Sequence, residues 1–92
     1  MEKNITFVNA QEMRIKHPNT FEAPVKEELD AIKIGDSVKV CADNKERFWV
    51  TVTNVEGDII TGTVDNDLVD VNLAYGEEIN FKKSNVYSIW GD

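Results

Sequence analysis

A single cysteine, Cys41, rules out an intrachain disulfide. No apolar run approaches the roughly 20 residues that a membrane-spanning helix needs. The opening stretch, MEKNITFVNAQEMR, lacks the apolar heart of a secretory signal. Together these absences make the cytoplasm the expected compartment, with no membrane contact. One histidine, His17, has no second His or thiol at metal-ligand spacing. There is no glycine-rich phosphate loop and no nucleophile–base pair along the chain. Neither an enzyme nor a cofactor is therefore expected. Bases are scarce, with 10 Lys and Arg against 17 Asp and Glu, a formal charge of −7. Residues 1–34 carry five bases against six acids, and residues 35–92 carry five against eleven. Such a field repels phosphate backbones, and the basic pair Lys82-Lys83 is too small a patch for nucleic acid. The same field suits a basic protein partner, or solubility alone.

What is present fits one domain. Ninety-two residues with 41% hydrophobic content suffice for a single compact core. Residues 1–34 read as a helical N-terminal extension and residues 35–92 as a β unit. Residues 5–8, ITFV, suit an edge strand or an extended arm. Asn9 with Glu12 three residues on predicts a helix N-cap, and Pro18 predicts its end. Met13 is the clearest apolar anchor of this helix, and His17 sits at its C-terminus, where an imidazole suits the dipole. Between the two prolines, Phe21 is expected to plug the core. Pro24 opens a second short helix, with Val25, Leu29 and Ile32 on one stripe.

Five short strands follow, near 36–42, 47–55, 59–65, 77–81 and 86–90. In the first, Val38, Val40 and Ala42 alternate with Ser37, Lys39 and Cys41. Cys41 reads as packing rather than as a nucleophile. In the second, Phe48, Val50 and Val52 share the inner face. Trp49, Thr51 and Thr53 share the other. Glu56-Gly57-Asp58 predicts a turn. Ile60, Gly62 and Val64 then return on the inner face, and Ile59 is expected near Trp49 across the ladder. Trp49 has three readings: covered by the N-terminal helices, which the unburied stripe of the second helix favours; exposed as a binding anchor; or buried by a one-residue slip.

Residues 65–76, DNDLVDVNLAYG, form an acidic loop pinned by Leu68 and Leu73. Asp65, Asp67 and Asp70 suggest calcium, but position 6 of the loop is not glycine and position 12 is Gly76. Lys82 to Asn85 predicts a turn with one 3₁₀ turn. The expected fold is therefore α+β and mainly β: a small SH3-like five-stranded antiparallel barrel preceded by two short helices. The alternative is an open antiparallel sheet with helices on one face.

Three stretches, AIKIGDSVKVCA, ERFWVTVTNVEGDIITGTVDNDL and YGEEINFKKSNVYSIW, resemble a widespread family of small bacterial domains of unknown function. HPNTFEAP upstream fits the same pattern, so the resemblance spans about residues 17–90. That family is similar to immunity proteins encoded beside polymorphic toxins. The resemblance implies no catalytic residue. With it, the expected role is a non-enzymatic protein-binding module, immunity-like, with Trp49, Asp65, Asp67, Asp70 and Tyr75 as the partner-binding residues. The other expectation is a self-associating structural domain with no separate ligand, pairing through Trp49 or Tyr75; the expected oligomeric state is a monomer or weak homodimer.

Overall fold

The computed structural model describes residues 5–19 and 23–90. Phe21 lies outside them. Two short helices, α1 (Ala10–Lys16) and α2 (Lys26–Asp30), precede β1 (Ser37–Ala42), β2 (Glu46–Glu56), β3 (Ile59–Val64) and β4 (Glu78–Lys82). A 3₁₀ turn at Lys83–Asn85 leads to β5 (Ser88–Trp90). All ladders are antiparallel, and the strand order is β4-β3-β2-β1-β5. The sheet is thus open in its hydrogen bonding, with β4 and β5 at its edges. The fold is mainly β, with the two helices as additions.

Turn chemistry sets the hairpins. Asp43 and Asn44 both hold positive φ, 52° and 54°, the signature of a type I′ turn between β1 and β2. Lys45 N–H closes that turn on Ala42 O at 2.9 Å. Gly57, at φ 59°, takes the first position of the two-residue turn between β2 and β3, as a type II′ turn requires. The register shifts between Val52 and Asn54, so Thr53 forms a bulge. Ile59 consequently pairs with Glu56, at the far end of the ladder from Trp49. The expectation that Ile59 neighbours Trp49 is corrected by this register.

The inner face is as the alternation predicts. Val38, Val40, Phe48, Val50, Val52, Ile60 and Val64 are all buried, and Val86 joins them from the segment before β5. Gly62 has a steric reason to be glycine. A Cβ there would lie 2.4 Å from Val50 Cγ1 and 2.6 Å from Thr51 O.

The N-terminal part covers this core. Asn9 caps α1, its side chain accepting from Glu12 N–H at 2.9 Å, and the helix ends at Lys16. Its one buried residue is Ala10, whereas Met13 is only half-buried. The predicted stripe of α2 is partly broken. Leu29 and Ile32 join the core cluster, but Val25 is 42% exposed. The cause is local: Val25 is the N-cap, outside the helix proper, and its N–H is held by Glu28 Oε1 at 3.1 Å.

Residues 6–8 form an extended arm beside the second half of β1. Phe7 bridges Ala42, and Val8 N–H donates to Cys41 O at 3.0 Å. The Phe7 ring also meets the Phe81 ring of β4, with centroids 5.8 Å apart. The arm therefore spans the gap between the two sides of the sheet by side-chain contact. Asn85 locks it there. Its Nδ2 donates to Phe7 O and Val8 O, and its Oδ1 accepts from Lys82 N–H. Among the described residues, no buried side-chain polar atom lacks a partner, and no helix is long and apolar enough to cross a membrane.

Candidate functional site

Register and alternation place a second set of residues together, on the outer face of β1, β2 and β5. Trp90 lies opposite Ser37, and Ser37 opposite Thr51. One row on, Ser88 lies opposite Lys39, and Lys39 opposite Trp49. The next row pairs Cys41 with Arg47, and the Tyr87 ring lies beside them. Two cations and three aromatics thus share one surface of an acidic protein.

Each cation rests on a ring. Lys39 Nζ sits 5.8 Å from the Trp49 centroid, and Arg47 Cζ sits 5.0 Å from the Tyr87 centroid. Such contacts are worth about 0.5–1 kcal/mol at exposed sites. Among the described residues, neither cation forms an ion pair with a carboxylate; the ion pairs involve Lys16, Lys26, Lys33 and Lys83. Burial pushes the Tyr87 phenol pKa up; the neighbouring Cys41 adds to this and Arg47 opposes it. Cys41 is only 4% exposed although it points outward. Tyr87 lies against it, so the thiol serves packing.

The backbone of Trp49 is held at both its N–H and its carbonyl. Its carbonyl accepts from Asp65 N–H at 2.9 Å, and its N–H donates to Asn66 Oδ1 at 2.7 Å. Asp65-Asn66 thus extends the β3 ladder, the asparagine side chain standing in for a backbone carbonyl. The side chain of Trp49 is half-buried. It is not covered by α2. Leu29 and Ile32 pack with Phe48 and Val50, whose side chains leave the sheet on the opposite face. The apolar stripe that was to cover Trp49 is spent on the inner core. No one-residue slip occurs either, since Phe48 and Val50 remain inside.

The other predicted binding residues separate. The Asp65 carboxylate accepts from the Thr51 hydroxyl, which gives it a structural use. Asp67 and Asp70 are exposed. The loop around Asp70 is fastened by Glu46, whose carboxylate accepts from the N–H groups of Val69 and Asp70. Tyr75 is 67% exposed, one residue before Gly76 at φ 81°. Among the described residues, no three His, Cys, Asp or Glu side chains gather in a way that could hold a metal ion. Asp65, Asp67 and Asp70 therefore form no cation site by themselves.

A groove of about 430 Å³ opens between the arm and β4, with Phe7 and Phe81 in its lining and Asn80, Ser84 and Asn85 as polar groups. The Asn85 side chain there is already satisfied by the arm. Asp36 is also buried and structural. Its carboxylate accepts from Lys33 N–H and pairs with Lys33 Nζ at 3.4 Å. Lys39, Arg47, Tyr87 and Trp90 were not singled out from the sequence. Lys39 and Arg47 carried a signal, as outward positions flanking Trp49 in alternating strands. Tyr87 and Trp90 join only because β5 pairs with β1 across some 50 residues of chain.

No family model, no curated protein and no solved structure matches this chain.

Proposed function

We propose that the chain is a non-enzymatic protein-binding module whose partner docks on the outer face of β1, β2 and β5. One observation carries this reading. Lys39, Arg47, Trp49 and Trp90 share the face opposite the core on which Leu29 and Ile32 pack, and Trp90 is 71% exposed on it. Aromatic residues and arginine are the types enriched at protein interfaces. We further read the open sheet and the arm as a small SH3-like barrel. The ring contact of Phe7 with Phe81 across the seam supports that.

The resemblance to immunity-like domains makes a toxin encoded beside this protein the first partner to try. The charge of −7 and the exposed Asp67 and Asp70 suit basic groups of a partner at the 65–76 loop rather than on the outer face of β1, β2 and β5. Co-purification at low salt, from a cell containing the neighbouring genes, tests the module reading. Recovery of a protein that Trp49→Ala and Trp90→Ala both weaken is expected. Recovery of no partner counts against it. Self-association is the second reading, motivated by exposed Trp90 on an edge strand. A clean monomer in sedimentation at high concentration removes it.

A further inference from the structure

We infer that the outer face of β1, β2 and β5 takes an extended acidic segment of a partner protein, with carboxylates two residues apart and an apolar residue two further on. The inference rests on reading the chain as a protein-binding module and adds the chemistry of the partner.

Three observations fix that chemistry. First, the outward side chains of β1, β5 and residues 47–51 of β2 are Ser37, Lys39, Cys41, Arg47, Trp49, Thr51, Ser88 and Trp90. Two are cations, and the Asp65 carboxylate borders the face at Thr51, from whose hydroxyl it accepts. The strand positions paired with Lys39 and Arg47, namely Ser88, Trp49 and Cys41, carry no carboxylate. Second, among the described residues no carboxylate pairs with Lys39 or Arg47. The rings hold them in place, which lowers the entropic cost of engaging them. Third, the spacing matches an extended chain. Lys39 lies opposite Trp49, and Arg47 is two residues from Trp49, so the two positions are diagonal neighbours on the sheet, roughly 7–8 Å apart along the backbone. Same-face side chains of an extended segment recur about every 7 Å. A carboxylate over Arg47 thus places the next same-face carboxylate over Lys39. The third same-face position reaches the row of Ser37 and Trp90, where an apolar group meets the indole.

The net charge of the chain opposes an acidic partner only at range. At physiological salt, fields are screened over about 8 Å, so contact chemistry decides the docked state. The predicted binding is therefore slow to form and strengthened by its local ion pairs.

A displayed library of random ten-residue peptides, selected on the full chain, is the test. Wild type is expected to enrich acidic–x–acidic–x–apolar sequences. The double variant K39E/R47E is expected to bind the selected peptide about tenfold or more weakly, and to enrich basic–x–basic sequences instead. K39Q/R47Q serves as a milder second variant and is expected to lose the acidic preference without reversing it. Circular dichroism melts confirm that each variant is folded. An enrichment without charge preference, or one unchanged in K39E/R47E, overturns the inference. So does tighter binding of anionic vesicles or single-stranded nucleic acid to the same residues. Concentration-dependent self-association abolished by K39E/R47E would assign the face to a second copy, also overturning it. If a co-purified partner still binds K39E/R47E, the module reading stands and the acidic-segment inference falls. If neither peptide nor partner is ever bound, the module reading falls as well.

Discussion

The two faces of β1 and β2 are built by the same strands, one residue out of step. Inward go Val38, Val40, Phe48, Val50 and Val52, none more than 1% exposed. Outward go Lys39, Arg47, Trp49 and Thr51, each held by a ring, a ladder or a hydroxyl contact rather than by close packing. The inner face loses solvent on folding and carries stability. The outer face keeps cations and indoles at the surface, where they add little to folding. The two can therefore be altered independently, and substitutions at adjacent positions should report different properties.

The sharpest contrast lies between Phe48 and Arg47. Phe48→Ala removes a ring that is 1% exposed and is expected to cost about 3–5 kcal/mol in urea denaturation. Arg47→Ala, one residue away, should stay within about 0.5–1 kcal/mol, the range of an exposed cation–π contact. Equal losses at both positions would break the division between faces. Gly62 tests the same division from β3. Gly62→Ala places a methyl against Val50 and the Thr51 carbonyl and should cost about 1–3 kcal/mol. The neighbouring outward position, in Thr63→Ala, should lie within about 0.5 kcal/mol.

Asn85 belongs to neither face. It ties the arm to the 3₁₀ turn, and Asn85→Ala should cost about 1–3 kcal/mol because it strands two carbonyls and one N–H. Hydrogen exchange should then quicken first at the Val8 and Asp43 amides, which join the arm to the end of β1. Exchange that quickens first inside β2 would contradict the tie.

The smallest effect concerns pH. The Tyr87 pKa is raised in the folded protein, so the fold favours the neutral phenol. Its contribution is full below the ordinary phenol value of about 10 and is lost as pH rises through the raised value. Wild type should therefore lose more stability between pH 8 and pH 11 than Tyr87→Phe does. Equal losses in urea midpoints would remove Tyr87 from the account.

Much of the inner face was legible in the sequence. Strict alternation in SVKVCA and RFWVTV names the buried valines and Phe48, and a single glycine places the β2–β3 turn. Asn9 and Pro18 bound α1 for reasons local to the chain. What failed was non-local. Ile59 was expected near Trp49, but the Thr53 bulge and the two-residue turn set a register that puts it beside Glu56. Of the three readings of Trp49, cover by the second helix was the favoured one, yet Leu29 and Ile32 complete the inner core. Periodicity says that a helix has an apolar stripe and does not say which face of a sheet receives it. The candidate site was half legible. Trp49 stands at its centre, while Asp65 proved to be a clamp on the β2–β3 ladder. Tyr87 and Trp90 reach the face through the pairing of β5 with β1, for which no local pattern exists.

The most direct test reads both faces in one protein. Urea midpoint and affinity for the selected acidic peptide are measured side by side on wild type and K39E/R47E. The account predicts an affinity lower by about tenfold or more, with stability changed by no more than about 1 kcal/mol. An unchanged affinity, or a loss of stability comparable to that of Phe48→Ala, would contradict it.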